Sequence, residues 1–284
     1  PHEVSLVCLG KHGEGRLLSQ EEINRQLVEA ALTGKNVVRL KGGDPAIFGR
    51  TAEEILALEE AEIAYEVVSG VTAALAASSA AGIPLTDRRY ASAVALVTGH
   101  ECDGKENDLD LASLASFPGT LVFYMGVTTA PTWSQELIAH GRAADTPVAI
   151  IRRCGLPGQE IIRTTLAEVS QVLAPQKMRP PATIVVGAVA ALQAEMNFHA
   201  SAQLAGRTVL VTRPERQATE MVQQLSRLGA TAMVQPAIEI TPPEDWTAVD
   251  RQLAQLPSFD WLVFSSSNGV SYFLDRLLET GSDL

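Results

Sequence analysis

The sequence predicts an α/β protein of about two domains, and three observations carry that prediction. Short apolar runs alternate with longer helix-patterned stretches, as strands and crossover helices do over a parallel sheet covered on both faces. The runs end in loops rich in glycine, aspartate and proline that lead straight into helix-start signals. Residues 193–205 are polar and alanine-rich without an apolar period, and a new strand pattern starts abruptly at Arg207.

In chain order, residues 4–9 read as a strand ending at Gly10. The loop that follows, through Lys11 and Arg16, matches neither GxGxxG nor GxxxxGK[ST]. Ser19 and Glu22 form a capping box for a helix whose Ile23, Leu27, Ala30 and Ala31 share a face. Residues 37–40 are the next strand. Lys41-Gly42-Gly43-Asp44-Pro45 then opens a loop that runs to Arg50, and Thr51 with Glu54 reads as a second capping box for a helix over 51–61. This is the carboxyl edge of a strand, where open α/β sheets bind ligands. Gly42 and Gly43 let a ligand approach the backbone, and Asp44 can accept from hydroxyl or ammonium groups. The competing reading is a tight turn with Asp44 capping it, but a turn needs fewer residues than this loop contains.

Residues 64–68 are a third strand, and Ser69-Gly70 turns into a helix of small residues, 72–81, closed by Gly82 and Pro84. The start of that helix offers free N–H groups to an anion. Thr72 reads either as its N-cap or as a ligand contact. Arg88-Arg89-Tyr90 leads into a second subdomain. There a strand over 93–97 runs into Thr98-Gly99-His100, where His100 is a base or simply structural. An acidic surface loop covers 101–110. A strong strand over 120–125 ends in Met125-Gly126, where Met125 by itself reads as core. A helix over 131–139 closes at Gly141, a strand over 147–153 meets the loop 154–158, and strands near 161–165 and 183–187 flank a helix near 166–172.

Beyond the linker the order is strand, helix, strand, helix, strand, helix, with strands at 207–214, 236–240 and 259–264. Met221, Val222, Leu225 and Leu228 share one face of the first helix, which closes at Gly229. Ser266, Ser267 and Asn268 gather hydroxyl, amide and backbone donors at a helix start, suited to a carboxylate or to a plain cap.

Composition narrows the function. A net charge of −11 argues against nucleic acid as a partner, and no apolar run approaches the ~18 residues of a membrane span. Cys8, Cys102 and Cys154 lie far apart with no CxxC, which argues against zinc or a disulfide framework and fits the cytoplasm. The chain starts at Pro1 and stops in mid-pattern at Leu284, so it reads as a fragment cut at both ends.

The pieces Gly10-Lys11, Gln20-Glu21-Glu22-Ile23-Asn24, Val38-Arg39-Leu40-Lys41-Gly42-Gly43-Asp44-Pro45, Phe48-Gly49-Arg50, Gly70-Val71-Thr72-Ala73-Ala74, Gly82-Ile83-Pro84-Leu85-Thr86, Thr98-Gly99-His100 and Phe123-Tyr124-Met125-Gly126 run in order through about the first 190 residues. Together they resemble the tetrapyrrole methylase family, and within it the uroporphyrinogen-III C-methyltransferases. The resemblance implies a methylase fold of two α/β subdomains, about 1–90 and 91–192, that binds S-adenosyl-L-methionine. The implied cofactor contacts are Gly42, Gly43, Asp44, Ile47, Thr72, Ala73, Met125, Cys154 and Ala182, and Lys11 matches a proposed proton donor. Val211-Thr212-Arg213-Pro214, the run 259–264 and Ser266-Ser267-Asn268-Gly269-Val270 resemble the start of uroporphyrinogen-III synthase, a flavodoxin-like α/β domain, over 206–284.

These two activities are consecutive steps. A synthase cyclises hydroxymethylbilane to uroporphyrinogen III, and the methylase transfers methyl groups to C2 and C7 to give precorrin-2 for sirohaem and cobalamin. The substrate's carboxylates call for cations. Candidates are Lys11, Arg16, Arg50, Arg88 and Arg152, with Arg50 and Arg88 foremost, while Ser266, Ser267 and Asn268 would serve the synthase substrate. The family also implies a homodimer. Two departures stand out: Ser69 replaces the family's proline, and neither the GxGPGDP loop nor the aspartate proposed as base is present, so the 284-residue chain alone is expected to be inactive. The alternatives are a methylase of a later precorrin and a non-catalytic cofactor-binding protein.

Overall fold

Residues 94–186 supply a single five-stranded sheet: β1 (Val94–Thr98), β2 (Thr120–Tyr124), β3 (Pro147–Arg152), β4 (Glu160–Thr165) and β5 (Ala182–Val186), in the order β1-β2-β5-β3-β4. The computed structural model describes residues 4–8, 18–100, 109–156, 158–174, 180–192 and 202–281. Lys11, Arg16, Cys102 and most of the stretch 193–205 lie outside the described residues. The chain divides into two compact units, Pro1–Ala205 and Gly206–Leu284.

The sheet is mixed, which corrects the expectation of a parallel one. β1 and β2 are parallel, but β5 runs antiparallel to both β2 and β3, and β4 antiparallel to β3. The short connection between β3 and β4 leaves no room for a crossover, so those strands form a hairpin.

Side chains alternate along the strands and build two cores. Leu121 and Phe123 of β2 join Val148, Ile150, Ile184 and Val186 on one face, covered by α5 (Ala130–Ala139) through Trp133 and Leu137. Val122, Ala149, Ile151 and Val185 face the other way, against Ala74, Ala77 and Ala81 of α3 (Ala73–Ala81). Alanines at that spacing let α3 lie close on the sheet. The indole of Trp133 stacks on Phe123 at 4.3 Å and its Nε1 donates to the Gly126 carbonyl at 2.9 Å, so the end of β2 is tied to α5. The short helices α4 (Leu111–Ser116) and α6 (Val169–Val172) complete this half.

Residues before α3 are built differently. The helices α1 (Gln20–Leu32) and α2 (Thr51–Glu60) form where periodicity places them, and at the start of α1 Ser19 Oγ accepts from Glu22 N at 3.2 Å as its capping box implies. Asn24 Nδ2 reaches the Glu53 carbonyl at 3.1 Å, so the two helices are linked. The strands expected within 4–9, over 37–40 and over 64–68 form no ladder among the described residues. Val38 and Leu40 are 85% and 84% exposed. An apolar run favours extended backbone but does not supply the second strand that a ladder requires.

The capping box at Thr51 is also corrected. Arg50 precedes the helix with φ 56°, in the left-handed region, and the Thr51 hydroxyl donates to the Pro45 carbonyl. Glu54 turns inward instead of back to the cap.

The second unit holds β6 (Thr208–Val211) parallel to β7 (Thr231–Val234), with α7 (Glu215–Arg227), α8 (Thr247–Leu253) and α9 (Ser267–Glu279). The strand expected at 236–240 lies earlier, at β7. Pro236 lacks the N–H a regular ladder needs, although Gln235 N and Ala237 N still reach the Val211 and Thr212 carbonyls. Residues 259–264 form no ladder among the described residues, with Trp261 and Val263 each 84% exposed. Arg276 clamps α9 to α8 through two 2.7 Å bonds to Asp250. No helix among the described residues is long and apolar enough to cross a membrane.

Candidate functional site

The directions of the strands define one edge of the five-stranded sheet. β1, β2 and β3 point the same way, so their last residues, Thr98, Tyr124 and Arg152, share an edge with Ala182, which pairs with Arg152 at the start of β5. Backbone strain concentrates there. Met125 and Arg153, just past β2 and β3, both have φ 52°, and Phe48 and Arg50 in the loop 42–50 have φ 53° and 56°. Left-handed backbone at non-glycine residues is costly and gathers at functional sites.

Glycines allow the surrounding loops to touch. A Cβ on Gly99 would stand 2.4 Å from the Gly126 Cα, and one on Gly70 would stand 2.4 Å from the Gly43 carbonyl oxygen. Gly43 itself has φ +105°, open to glycine and little else.

Asp44 fastens the contact. Its Oδ1 accepts from Ala46 N at 2.8 Å, and its Oδ2 accepts from Gly70 N at 3.0 Å. Both readings of Asp44 made from the sequence therefore meet in one residue: it caps its own turn and joins that turn to the segment before α3.

The start of α3 is tied to β2. Thr72 Oγ1 lies 2.7 Å from the Tyr124 hydroxyl, and Ala74 N–H donates to the same oxygen at 2.9 Å. Leu75 N and Ala76 N bond back to the Thr72 carbonyl. The open anion site expected at this helix start is thus largely closed, with Ala73 N–H left as the first-turn donor that has no acceptor among the described residues. Phe48 packs on Tyr124 with ring centroids 5.0 Å apart, which brings the loop carrying Gly42, Gly43, Asp44 and Ile47 to the same place. Met125 is 52% exposed, which excludes the reading of it as core. Cys154 packs at the margin of the core that holds α3.

Behind the loop, Glu54 is 5% exposed and takes three donors: Lys41 Nζ at 2.5 Å, Arg39 Nε at 3.1 Å and Gln20 Nε2 at 3.3 Å. Burial pushes its carboxyl up, and the bonds and charges of Lys41, Arg39 and Gln20 outweigh that, holding it below the usual range. The anchored Lys41 immediately precedes Gly42.

The predicted substrate residues are less closely drawn in. Arg50 binds Glu53 at 2.6 and 2.7 Å. Arg88 is exposed in the turn closed by the Asp87–Ala91 bridge, and it makes no side-chain bond among the described residues. Arg152 lies 3.5 Å from Glu160. His100 is exposed beside Thr98, whose hydroxyl donates to the His100 carbonyl. In the second unit Ser266 Oγ accepts from Gly269 N at 3.1 Å, a helix cap, and Asn268 Oδ1 accepts from Gln217 Nε2 at 2.8 Å, joining α9 to α7. Ser267 uses its carbonyl to accept from Ser271 Oγ.

Sequence reasoning missed two residues, Glu54 as an anchor and Tyr124 as a junction. A phenol ending the apolar run Leu121-Val122-Phe123 was the available signal for Tyr124. Among the described residues no three His, Cys, Asp or Glu side chains gather as metal ligands.

The profile of the Tetrapyrrole (Corrin/Porphyrin) Methylases matches residues 7–170. The chain belongs to this family. Residues 219–284 beyond the methylase region match the profile of Uroporphyrinogen-III synthase HemD. Over its whole length the chain is 35% identical to the porphyrin biosynthesis protein HemD of Ruminiclostridium josui, and over 70% of its length it is 47% identical to the siroheme synthase of Zymomonas mobilis. It spans 56% and 42% of those relatives, about half their length. Among solved structures, the uroporphyrin-III C-methyl transferase of Thermus thermophilus complexed with S-adenyl homocysteine is 39% identical, with a TM-score of 0.53 over 60% of this chain and 74% of that one.

Proposed function

We propose that the methylase edge binds S-adenosyl-L-methionine and that the full-length protein methylates uroporphyrinogen III at C2 and C7, forming precorrin-2. In this reading residues 1–192 are the methylase domain, 193–205 a linker, and 206–284 part of a synthase domain that cyclises hydroxymethylbilane. The protein acts in the cytoplasm as a homodimer formed through the methylase domain.

The observation that carries the reading is the convergence of Gly43-Asp44, Thr72-Ala73 and Met125 at one strand edge, held by the Asp44–Gly70 and Tyr124–Thr72 bonds. The residues fit the cofactor. The backbone at Gly42 and Gly43 has no Cβ to obstruct it, since a Cβ on Gly42 would meet nothing within 4 Å, Ala73 N–H is an open donor, and the exposed Met125 offers an apolar contact. The 39% identical Thermus protein, solved with S-adenyl homocysteine, supports the same choice.

When bound, the cofactor supplies an activated methyl group on a sulfonium leaving group. The chain's task is alignment and proton management. Gly42, Gly43, Ile47, Thr72, Ala73, Met125, Cys154 and Ala182 would line the cofactor, with Asp44 holding the loop against α3. Arg50 and Arg88 would meet substrate carboxylates, and Lys11 would hold the proton for the methylated ring. Ser266, Ser267 and Asn268 would serve the synthase substrate.

Two measurements on the full-length protein test this. Calorimetry with S-adenosylhomocysteine should show one site per methylase domain. Uroporphyrinogen III with S-adenosylmethionine should gain two methyl groups by mass, placed at C2 and C7 by NMR. Methylation of a later precorrin only, or no methylation at all, would reject the assignment. Hydroxymethylbilane fed to the same protein should give the type III ring, and formation of type I alone would reject the synthase half.

A further inference from the structure

Tyr124 touches separate pieces of the site at once. Its hydroxyl meets Ala74 N–H at 2.9 Å and Thr72 Oγ1 at 2.7 Å, and its ring lies against Phe48. Thr72 precedes α3 without capping any N–H of its own helix, and both Thr72 and Ala74 are buried. The phenol has taken over the work of the cap.

Of these bonds, the one from Ala74 has a direction fixed by its donor. A backbone N–H can only donate, so Ala74 makes the Tyr124 oxygen an acceptor. Either hydroxyl of the Tyr124–Thr72 pair could donate, and in the arrangement inferred below the phenol gives its one proton to Thr72 Oγ1. With its oxygen receiving from Tyr124, Thr72 keeps its own proton for another partner. It is then fixed as a donor beside the open N–H of Ala73.

We infer that Tyr124 is a positioning residue for the methyl donor: it orients the Thr72 hydroxyl as a donor and holds the first turn of α3 against the loop 42–50. Acceptor atoms of the bound cofactor, its carboxylate or its ring nitrogens and hydroxyls, then meet two donors already in place. The inference rests on the reading that this edge binds S-adenosylmethionine.

Tyr124→Phe keeps the ring contact with Phe48 and removes only the hydroxyl. In the full-length protein it should weaken S-adenosylhomocysteine binding about five- to tenfold by calorimetry. The KM for S-adenosylmethionine should rise by a similar factor with kcat within about twofold, as expected when binding common to ground and transition states is lost. Thr72→Val should weaken binding to the same degree, and Thr72→Ser should restore it. The double variant Y124F/T72V should be no weaker than T72V, because both changes remove the same oriented donor. Thermal melts of every variant separate loss of binding from loss of fold. If Y124F does not fold, T72V against T72S decides, and equal binding by those two overturns the proposal. Unchanged binding by a folded Y124F, or additive losses in the double variant, also overturns it. Failure of the wild-type protein to bind S-adenosylhomocysteine would overturn the cofactor reading and this role together, whereas a binding wild type beside an unaffected Y124F removes only the role of Tyr124.

Discussion

Residues 94–186 and residues 37–68 contain the same kind of apolar run and treat it in opposite ways. Val122, Ile150 and Val185 are fully buried in a five-stranded sheet, while Val38, Leu40 and Val68 are 85%, 84% and 71% exposed on unpaired backbone. The difference shows that an apolar run alone does not make a strand, because burial depends on a partner strand. It also shows how the candidate site is assembled. One side is the end of a packed sheet. The other is a loop that meets it through the Phe48–Tyr124 ring contact and is held to its own neighbours by a few polar bonds, at Asp44 and at Glu54.

The largest expected effect tests the packed side. Phe123 is fully buried and stacked on Trp133, so Phe123→Ala should cost about 3–5 kcal/mol in urea unfolding of the methylase domain. Val38→Ala in the same assay should stay within about 0.5 kcal/mol. Equal losses at the two positions would break the comparison, because they would mean that residues 37–40 are packed in solution.

The polar bonds come next. Glu54→Gln should destabilise by about 1.5–3 kcal/mol, the scale of lost hydrogen bonds to charged groups, with Lys41 left half-satisfied. The pH dependence gives a second handle. The folded-state pKa of Glu54 is lowered, so its contribution is complete above the ordinary carboxylate value near 4.5 and is lost as pH falls through the lower folded value. The stability gap between wild type and Glu54→Gln should therefore close as pH drops below about 4.5. A gap that stayed constant down to acid unfolding would show that the charge of Glu54 contributes nothing.

Asp44→Ala removes the joint between the loop and Gly70. S-adenosylhomocysteine affinity should fall about ten- to hundredfold, the equivalent of roughly 1.5–3 kcal/mol. Unchanged affinity in calorimetry would take Asp44 out of the site. The smallest effect is expected at Arg50, whose exposed pair with Glu53 should contribute less than about 1 kcal/mol to stability. A large fall in activity of Arg50→Ala with stability intact would mark it as a substrate contact.

What could be read from the sequence follows the same division. The loop 42–50, the small-residue helix α3 and the strand ending at Tyr124 are local patterns, and each appears where periodicity and glycine placed it to within a residue. The insertion of β5 between β2 and β3 was not legible, because pairing across such distances leaves no local trace. Glu54 read as a capping residue from its spacing to Thr51, yet its partners are Lys41 and Arg39, thirteen and fifteen residues earlier. Tyr124 meets its partners fifty residues away. Residues 259–264 show the opposite failure, an apolar run that promised a strand and found no ladder among the described residues.

The position of β5 also dictates an order of assembly. β1 pairs with β2, β3 pairs with β4, and the two ladders meet only through β5, the last strand of the unit to leave the ribosome. Until residue 186 has emerged, the inner edges of β2 and β3 stand open, each a long apolar template for a neighbouring nascent chain. The central strand therefore closes the sheet in a single late event. Changing the synthesis rate across residues 124–186 should change the yield of folded protein, which pulse-chase solubility would check.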